Sequence, residues 1–261
     1  MALIDINGVS LEVERISGFG QPGRAPIVFL HEGLGSVAQW TSREGNWPQA
    51  VCQACAREGL VYSRRGYGRS DPIPDVRGAN ALSPNYMHQE AGKVLPALLQ
   101  TLGLQRPVLL GHSDGGTIAL LHASQHPVSA CVVMAPHVMV EPISLEAITT
   151  AREAYLQGPL RERLSRYHAD VDSAFWQWND VWLSPGFRTF DIREDCRRIT
   201  APVLAIQGRE DPYGSLQQIE DIRPDHGRIE RLVLDHCGHA PQRDQAQACI
   251  ARISSFLAAC P

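Results

Sequence analysis

The chain has 261 residues, 44% of them hydrophobic and 20% charged, with a formal net charge of −4. Such a length suits one large α/β domain or two small ones, and the composition is that of an ordinary soluble globular protein. The mild acidity and the lack of any long basic run argue against a nucleic-acid or anionic-membrane partner, and no apolar run approaches a membrane span in length.

Residues 2–17 alternate apolar and polar on either side of Asn7-Gly8 (Leu3, Ile4, Ile6; Val9, Leu11, Val13, Ile16). Asn-Gly between two alternating runs predicts a hairpin, so the sheet is expected to begin antiparallel. Met1 to Glu14 lacks a basic stretch followed by an apolar one, so no secretory leader is expected. Seven cysteines, an odd number, read as free thiols in a reducing compartment, and a cytoplasmic location is expected.

Ile27–Leu30 is a continuous apolar run, as expected of a strand buried on both faces. It leads into His31-Glu32-Gly33-Leu34-Gly35-Ser36. Residues 39–56 read as a helix carrying Cys52 and Cys55; with no second pair at zinc-finger spacing, these are read as helix residues. Leu60–Ser63 is the next strand, ending in the glycine-punctuated loop from Arg64 to Ser70. Residues 73–84 form a Pro/Gly/Asn-rich loop, and a helix over about 85–102 closes at Gly103.

Val108-Leu109-Leu110 then enters Gly111-His112-Ser113-Asp114-Gly115, followed by a run of helical character from Thr117 to Ser124. This Gly-x-Ser-x-Gly between a strand and a helix is the context of a nucleophile elbow, in which the serine sits on a strained turn and needs small neighbours. Val128 to Ala135 is a further strand. Residues 137–197 hold no convincing buried strand but carry helical patterns and many aromatics, so they read as a helical cap inserted between core segments 1–136 and 198–261. Val203–Gly208 returns to buried-strand character, with Asp211 just beyond it. A helix near 214–222 follows, then a strand from Ile229 to Leu234, the loop from Asp235 to Pro241 containing His239, and a final helix over about 242–258.

Strands alternating with helices predict an α/β fold: a mostly parallel eight-stranded sheet with helices on both faces. Ligands in such sheets bind beyond the carboxyl ends of the strands. Ser113, Asp211, His239 and the 31–36 loop all follow predicted strands. A serine hydroxyl needs a base within hydrogen-bond reach, and the base needs an orienting carboxylate.

The order Ser113, Asp211, His239 is similar to that of the α/β-hydrolase triad. The chain resembles that superfamily over nearly its whole length, through His-Glu-Gly-Leu-Gly at 31–35, Arg-Gly-Tyr-Gly-Arg-Ser at 65–70, Gly-His-Ser-Asp-Gly-Gly at 111–116, Gly-Arg-Glu-Asp-Pro at 208–212 and Cys-Gly-His at 237–239. Within it, the Ser-Asp-Gly-Gly elbow and the cap most resemble the biphenyl-hydrolase-like and valacyclovir-hydrolase group, with the meta-cleavage C–C hydrolases more distant. The resemblance implies Ser113 as nucleophile, His239 as general base and acid, Asp211 as its orienting carboxylate, and the N–H groups of Asp114 and Gly33 as oxyanion donors.

Two residues depart from the pattern. Glu32 stands where the loop usually has glycine, and its carboxylate either touches substrate or pairs with Arg64 or Arg65, with pairing favoured. Asp114 is either an acid at a helix N-terminus or a pocket group able to attract the ammonium of an amino-acid ester. Leu34, His137, Trp176 and Trp182 are further candidate substrate contacts. His31, His112 and His236 are read as structural, Glu141 as a weaker alternative to Asp211, and Asp235 as a turn residue. No His/Asp cluster has metal-ligand spacing, so neither metal nor cofactor is expected. The reading is a serine hydrolase of a small carboxylic ester, thioester or lactone, acting as monomer or homodimer on a small molecule. Its rivals are C–C bond hydrolysis, perhydrolysis and a non-catalytic receptor.

Overall fold

The computed structural model describes residues 1–43 and 45–260. Eight strands form the main sheet: β1 (Ala2–Ile6), β2 (Val9–Ile16), β3 (Ile27–Leu30), β4 (Gly59–Tyr62), β5 (Val108–His112), β6 (Ala130–Met134), β7 (Val203–Gly208) and β8 (Ile229–Leu234). Their order across the sheet is β1-β2-β4-β3-β5-β6-β7-β8. β1 and β2 are antiparallel, joined through Asn7 and Gly8 with φ of 55° and 82°, the turn that a two-residue hairpin requires. β2 runs antiparallel to β4, and every pairing from β4 to β8 is parallel.

The period-2 alternation of the central strands divides the core. Val28, Leu30, Leu109, Cys131, Val133, Val203 and Ala205 pack on one face. Ile27, Phe29, Val108, Leu110, Val132, Leu204 and Ile206 pack on the other, against α1 (Trp47–Cys55) and, at the chain's end, the helix Ala246–Leu257. Because both faces are covered, these strands carry no polar alternation, which is why they were legible as continuous apolar runs.

The helix expected over 39–56 is shorter than predicted. Val37–Trp40 is a single 3-10 turn, Thr41–Ser42 pairs with Gly45–Asn46, and only Trp47–Cys55 is α-helical; residue 44 lies outside the described residues. The Asn46 side chain accepts the Gln49 N–H and Pro48 fills the first turn, so the start was written in the sequence as a cap followed by proline. The helix expected over 85–102 comprises α2 (Tyr86–Gln89), a π-type turn at Glu90–Val94 and α3 (Leu95–Thr101). α4 (Asp114–Ala123) follows β5.

Between β6 and β7 the chain is helical: α5 (Pro142–Gln157), α6 (Leu160–Leu164), α7 (Val171–Trp182), a 3-10 turn at Pro185–Thr189 and α8 (Arg193–Arg197). The two ends of this segment meet in a bridge between Met139 and Asp191. Its buried residues, among them Ile148, Phe175, Trp178 and Trp182, join the same hydrophobic cluster as the sheet face above α4. α9 (Gln217–Glu220), α10 (Pro241–Asp244) and α11 (Ala246–Leu257) complete the chain. Among the described residues, no helix is long and apolar enough to cross a membrane.

Candidate active site

Ser113 lies between β5 and α4 with φ 52° and ψ −119°, a conformation that costs a non-glycine residue on the order of 1–3 kcal/mol. Its N–H donates to Met134 O at 2.9 Å, and its carbonyl accepts from Thr117 N at 3.0 Å. The turn is crowded enough that a Cβ on Gly115 would sit 2.2 Å from Leu30 O, and one on Gly111 2.1 Å from Gly115 O. The two glycines of the motif are therefore required by the close approach of strand, turn and helix.

His239 reaches Ser113 from the loop after β8, and Asp211 comes from the loop after β7. Asp211 can only accept, so Nδ1 of His239 carries the proton and donates to its two oxygens at 2.9 and 2.8 Å. That leaves Nε2 to accept from Ser113 Oγ at 2.9 Å. Burial pushes the Asp211 carboxyl up, but hydrogen bonds from His239 and from the Tyr213 N–H (2.8 Å) outweigh it and hold the group below the usual carboxylate range. Gln207 Nε2 donates to the other Asp211 oxygen at 2.8 Å. The resulting chain of hydroxyl, imidazole and carboxylate can take a proton from the serine while the carboxylate steadies the imidazolium.

Two further histidines flank His239, with ring centroids 5.2 Å (His112) and 5.8 Å (His137) away. Burial, and then the charge of His239, lower both to about 3, so they stay neutral and do not repel a protonated His239. His112 Nε2–H donates to the His239 carbonyl at 2.6 Å and its Nδ1 accepts from Gln242 at 3.1 Å, which ties the histidine loop to the elbow. Tyr213 packs against His239 with centroids 4.6 Å apart.

The loop after β3 is folded on its own polar groups. Glu32 O accepts from His31 Nδ1 (2.7 Å), Gly35 N (3.0 Å) and Arg64 Nη2 (3.1 Å). The Glu32 carboxylate accepts the Leu34 N–H at 2.8 Å. The expected pairing of the Glu32 side chain with Arg64 or Arg65 is thus corrected: Arg64 binds the carbonyls of His31 and Glu32, and Arg65 binds Pro72 O. Neither the Gly33 N–H nor the Asp114 N–H has an acceptor among the described residues.

Asp114 is fully buried. Its Oδ2 accepts from Tyr86 OH at 2.5 Å and lies 3.9 Å from Arg64 Nη2, and Tyr86 OH in turn accepts from Trp182 Nε1 at 3.1 Å. Its Oδ1 has no hydrogen-bond partner among the described residues. Burial pushes this carboxyl up more strongly than the Arg64 guanidinium lowers it.

A cavity of about 260 Å³ has Ser113, Asp114, His239, Glu32, Leu34, His137 and Trp182 in its wall. Ile148, Leu160, Leu164, Trp178 and Tyr213 add to the lining. Trp176, expected in the pocket, is not among the lining residues: the Arg77 guanidinium lies 3.8 Å from its ring centroid. Helical periodicity explains the exchange, since Trp178 is two positions on and faces another side of α7. His236 is exposed, Asp235 pairs with Arg209, and Glu141 receives Ser215 and Gln218. A larger cavity, about 520 Å³, lies beyond Arg64 and Tyr86 but none of the three converging side chains lines it, so size alone would point to the wrong place.

A model of the alpha/beta hydrolase family matches residues 27–252. The chain is 28% identical to a putative carbamate hydrolase RutD from Cronobacter turicensis, over 88% of this chain and 91% of that protein. It is 24% identical to a 2-hydroxy-6-oxononadienedioate/2-hydroxy-6-oxononatrienedioate hydrolase from Cupriavidus pinatubonensis, over 90% and 87% of the two chains. Among solved structures, the enol-lactonase from Burkholderia xenovorans superposes with a TM-score of 0.72 at 19% identity, over 98% of this chain and 100% of that one, a likeness of fold.

Proposed function

The chain belongs to the alpha/beta hydrolase family, and from that premise we propose that it is a serine hydrolase cleaving a small carboxylic ester, thioester or lactone through an acyl-enzyme on Ser113. The observation that carries this reading is the unbroken hydrogen-bonded chain from Ser113 Oγ through His239 to Asp211. Ser113 Oγ attacks the carbonyl carbon as its proton passes to His239 Nε2. The carbonyl oxygen, now negative, takes hydrogen bonds from the N–H groups of Asp114 and Gly33. The tetrahedral species collapses, and the alcohol or thiol leaves with the proton from His239. Water, deprotonated by His239, then attacks the acyl group and releases the acid and free Ser113.

Residues 137–197 serve as a cap in this reading, supported by the Ile148, Leu160, Leu164, Trp178 and Trp182 side chains that they send into the cavity wall. The modest volume and apolar roof favour a short acyl group. All seven cysteines are free, which supports work in a reducing compartment such as the cytoplasm.

A second reading, hydrolysis of a carbamate or an aminoacyl ester, is favoured by one observation. Asp114 follows the nucleophile and lines the cavity, and its Oδ1, without a hydrogen-bond partner among the described residues, supports a substrate that brings an N–H to it. The test is a panel of acetate, aryl, thio-, lactone, carbamate and aminoacyl substrates, with a meta-cleavage dienoate and a peroxide assay beside them. Turnover of the esters, abolished in Ser113→Ala, is expected. Turnover of only the dienoate would replace the ester reading by C–C hydrolysis. Preference for N–H-bearing substrates, lost in Asp114→Ala while acetate turnover survives, would select the second reading.

A further inference from the structure

The Gly33 N–H is useful as a donor only if its peptide stays in place, and the 31–36 loop does not hold every part of itself. Glu32 O and the Glu32 carboxylate anchor residues 32, 34 and 35 from within. The face of Gly33 and the carbonyl of Leu34 are held instead from the helical segment.

His168, between α6 and α7, is buried 134 positions away in sequence from Leu34. Its Nε2–H donates to Leu34 O at 2.9 Å, and its Nδ1 accepts from Gly68 N at 3.0 Å. The next residue, Ala169, donates its N–H to Gly68 O at 2.8 Å. The ring therefore joins the oxyanion loop to the 64–70 loop, and burial lowers its pKa to about 4, which preserves the neutral form able both to donate and to accept. Trp178 meets Gly33 from above: a Cβ on that residue would lie 2.2 Å from Trp178 Nε1 and 2.4 Å from Cδ1. The indole rests where any side chain at 33 would stand.

We propose that His168 and Trp178 are positioning residues that jointly fix the Gly33–Leu34 stretch, so that the second oxyanion donor is in register only while the 142–197 helices are seated on the core. This inference rests on the acyl-enzyme reading above. It assigns the helical segment a part in transition-state stabilisation as well as in enclosing substrate.

The experiment compares kcat and KM for p-nitrophenyl acetate in His168→Ala, His168→Gln, Trp178→Ala and Trp178→Phe, with thermal midpoints measured alongside. Misplacing a donor by about 1 Å is worth up to roughly 10²-fold, so kcat in the two alanine variants is expected to fall about 10- to 100-fold, with KM little moved in His168→Ala and moved as well in Trp178→Ala, whose indole lines the cavity. The amide of His168→Gln offers one donor and one acceptor and should recover most of the loss, as should the retained ring of Trp178→Phe. Native kcat in both alanine variants overturns the inference, as does a change confined to KM, or Gln and Phe variants as impaired as the alanines. If His168→Ala does not fold, the Trp178 pair decides by the same criteria. Turnover lost in Ser113→Ala but native in both alanine variants overturns this inference alone. Turnover kept in Ser113→Ala overturns the acyl-enzyme reading beneath it.

Discussion

Two buried carboxyl groups one turn of chemistry apart behave differently because their neighbours differ. Asp211 receives four short hydrogen bonds, from His239, Tyr213 and Gln207, and stays ionised below the usual carboxylate range. Asp114 receives one short bond on Oδ2 and, among the described residues, none on Oδ1, and burial pushes it up. Asp211→Asn keeps the shape but cannot hold the reactive His239 tautomer, so kcat should fall about 10⁴-fold with KM nearly unchanged; a loss under tenfold in steady-state assays would deny the carboxylate its role. His112→Ala removes the tie to the His239 carbonyl and should cost on the order of 10-fold in kcat, read in the same assay. At this scale the sequence was most informative where the chemistry is local: the elbow compresses its strain into five residues, and Asp211 and His239 each follow a recognisable strand. Tyr213, Trp178 and His168 were not legible. Their roles depend on which side of a loop or helix faces the site, and no spacing in the chain encodes that.

At the level of elements, the strands were legible from their apolar runs, whereas the start of α1 was carried by a cap that the helical periodicity hid. Buried parallel strands announce themselves as apolar runs, whereas the start of α1 depends on Asn46 and Pro48 overriding a helical-looking run from residue 39. α1 also reaches the far end of the chain through the second residue beyond it. Arg57, wholly buried, donates to Ala25 O at 2.8 Å, to Leu257 O at 3.1 Å and to Cys260 O at 2.7 Å, closing the carbonyl end of α11 on the entry to β3. Arg57→Ala strands these carbonyls and should lower the unfolding free energy by about 3 kcal/mol, within the range for bonds to a charged donor. Urea unfolding would read this as a lower midpoint, while turnover of the folded enzyme stays native. An unchanged midpoint would mean that water replaces the guanidinium without loss.

Across the whole molecule, one titration dominates. Five histidines are buried and held below the ordinary value: His31 well below it, His112 and His137 at about 3, His122 and His168 at about 4, in each case chiefly by burial. Unfolding releases them to water, where each binds a proton below about 6.5. Between that value and about 4 these histidines hold more protons in the unfolded chain than in the native one, so their contribution to stability is complete above the window and is lost as pH drops through it. Urea midpoints should decline steeply from about pH 7 to about pH 5; a flat profile would mean that the histidines are charged in the native state. The same burial keeps His112 and His137, the neighbours of His239, neutral, so sensitivity to acid and catalysis share a cause.

The most direct test of the central claim is rapid quenching during p-nitrophenyl acetate turnover, followed by mass spectrometry of the digested chain. An acetyl group on the peptide containing Ser113, formed at least as fast as turnover and absent from Ser113→Ala, is the predicted result. Undiminished turnover with no adduct at Ser113, or an adduct on another residue that forms and decays at the rate of turnover, would contradict it.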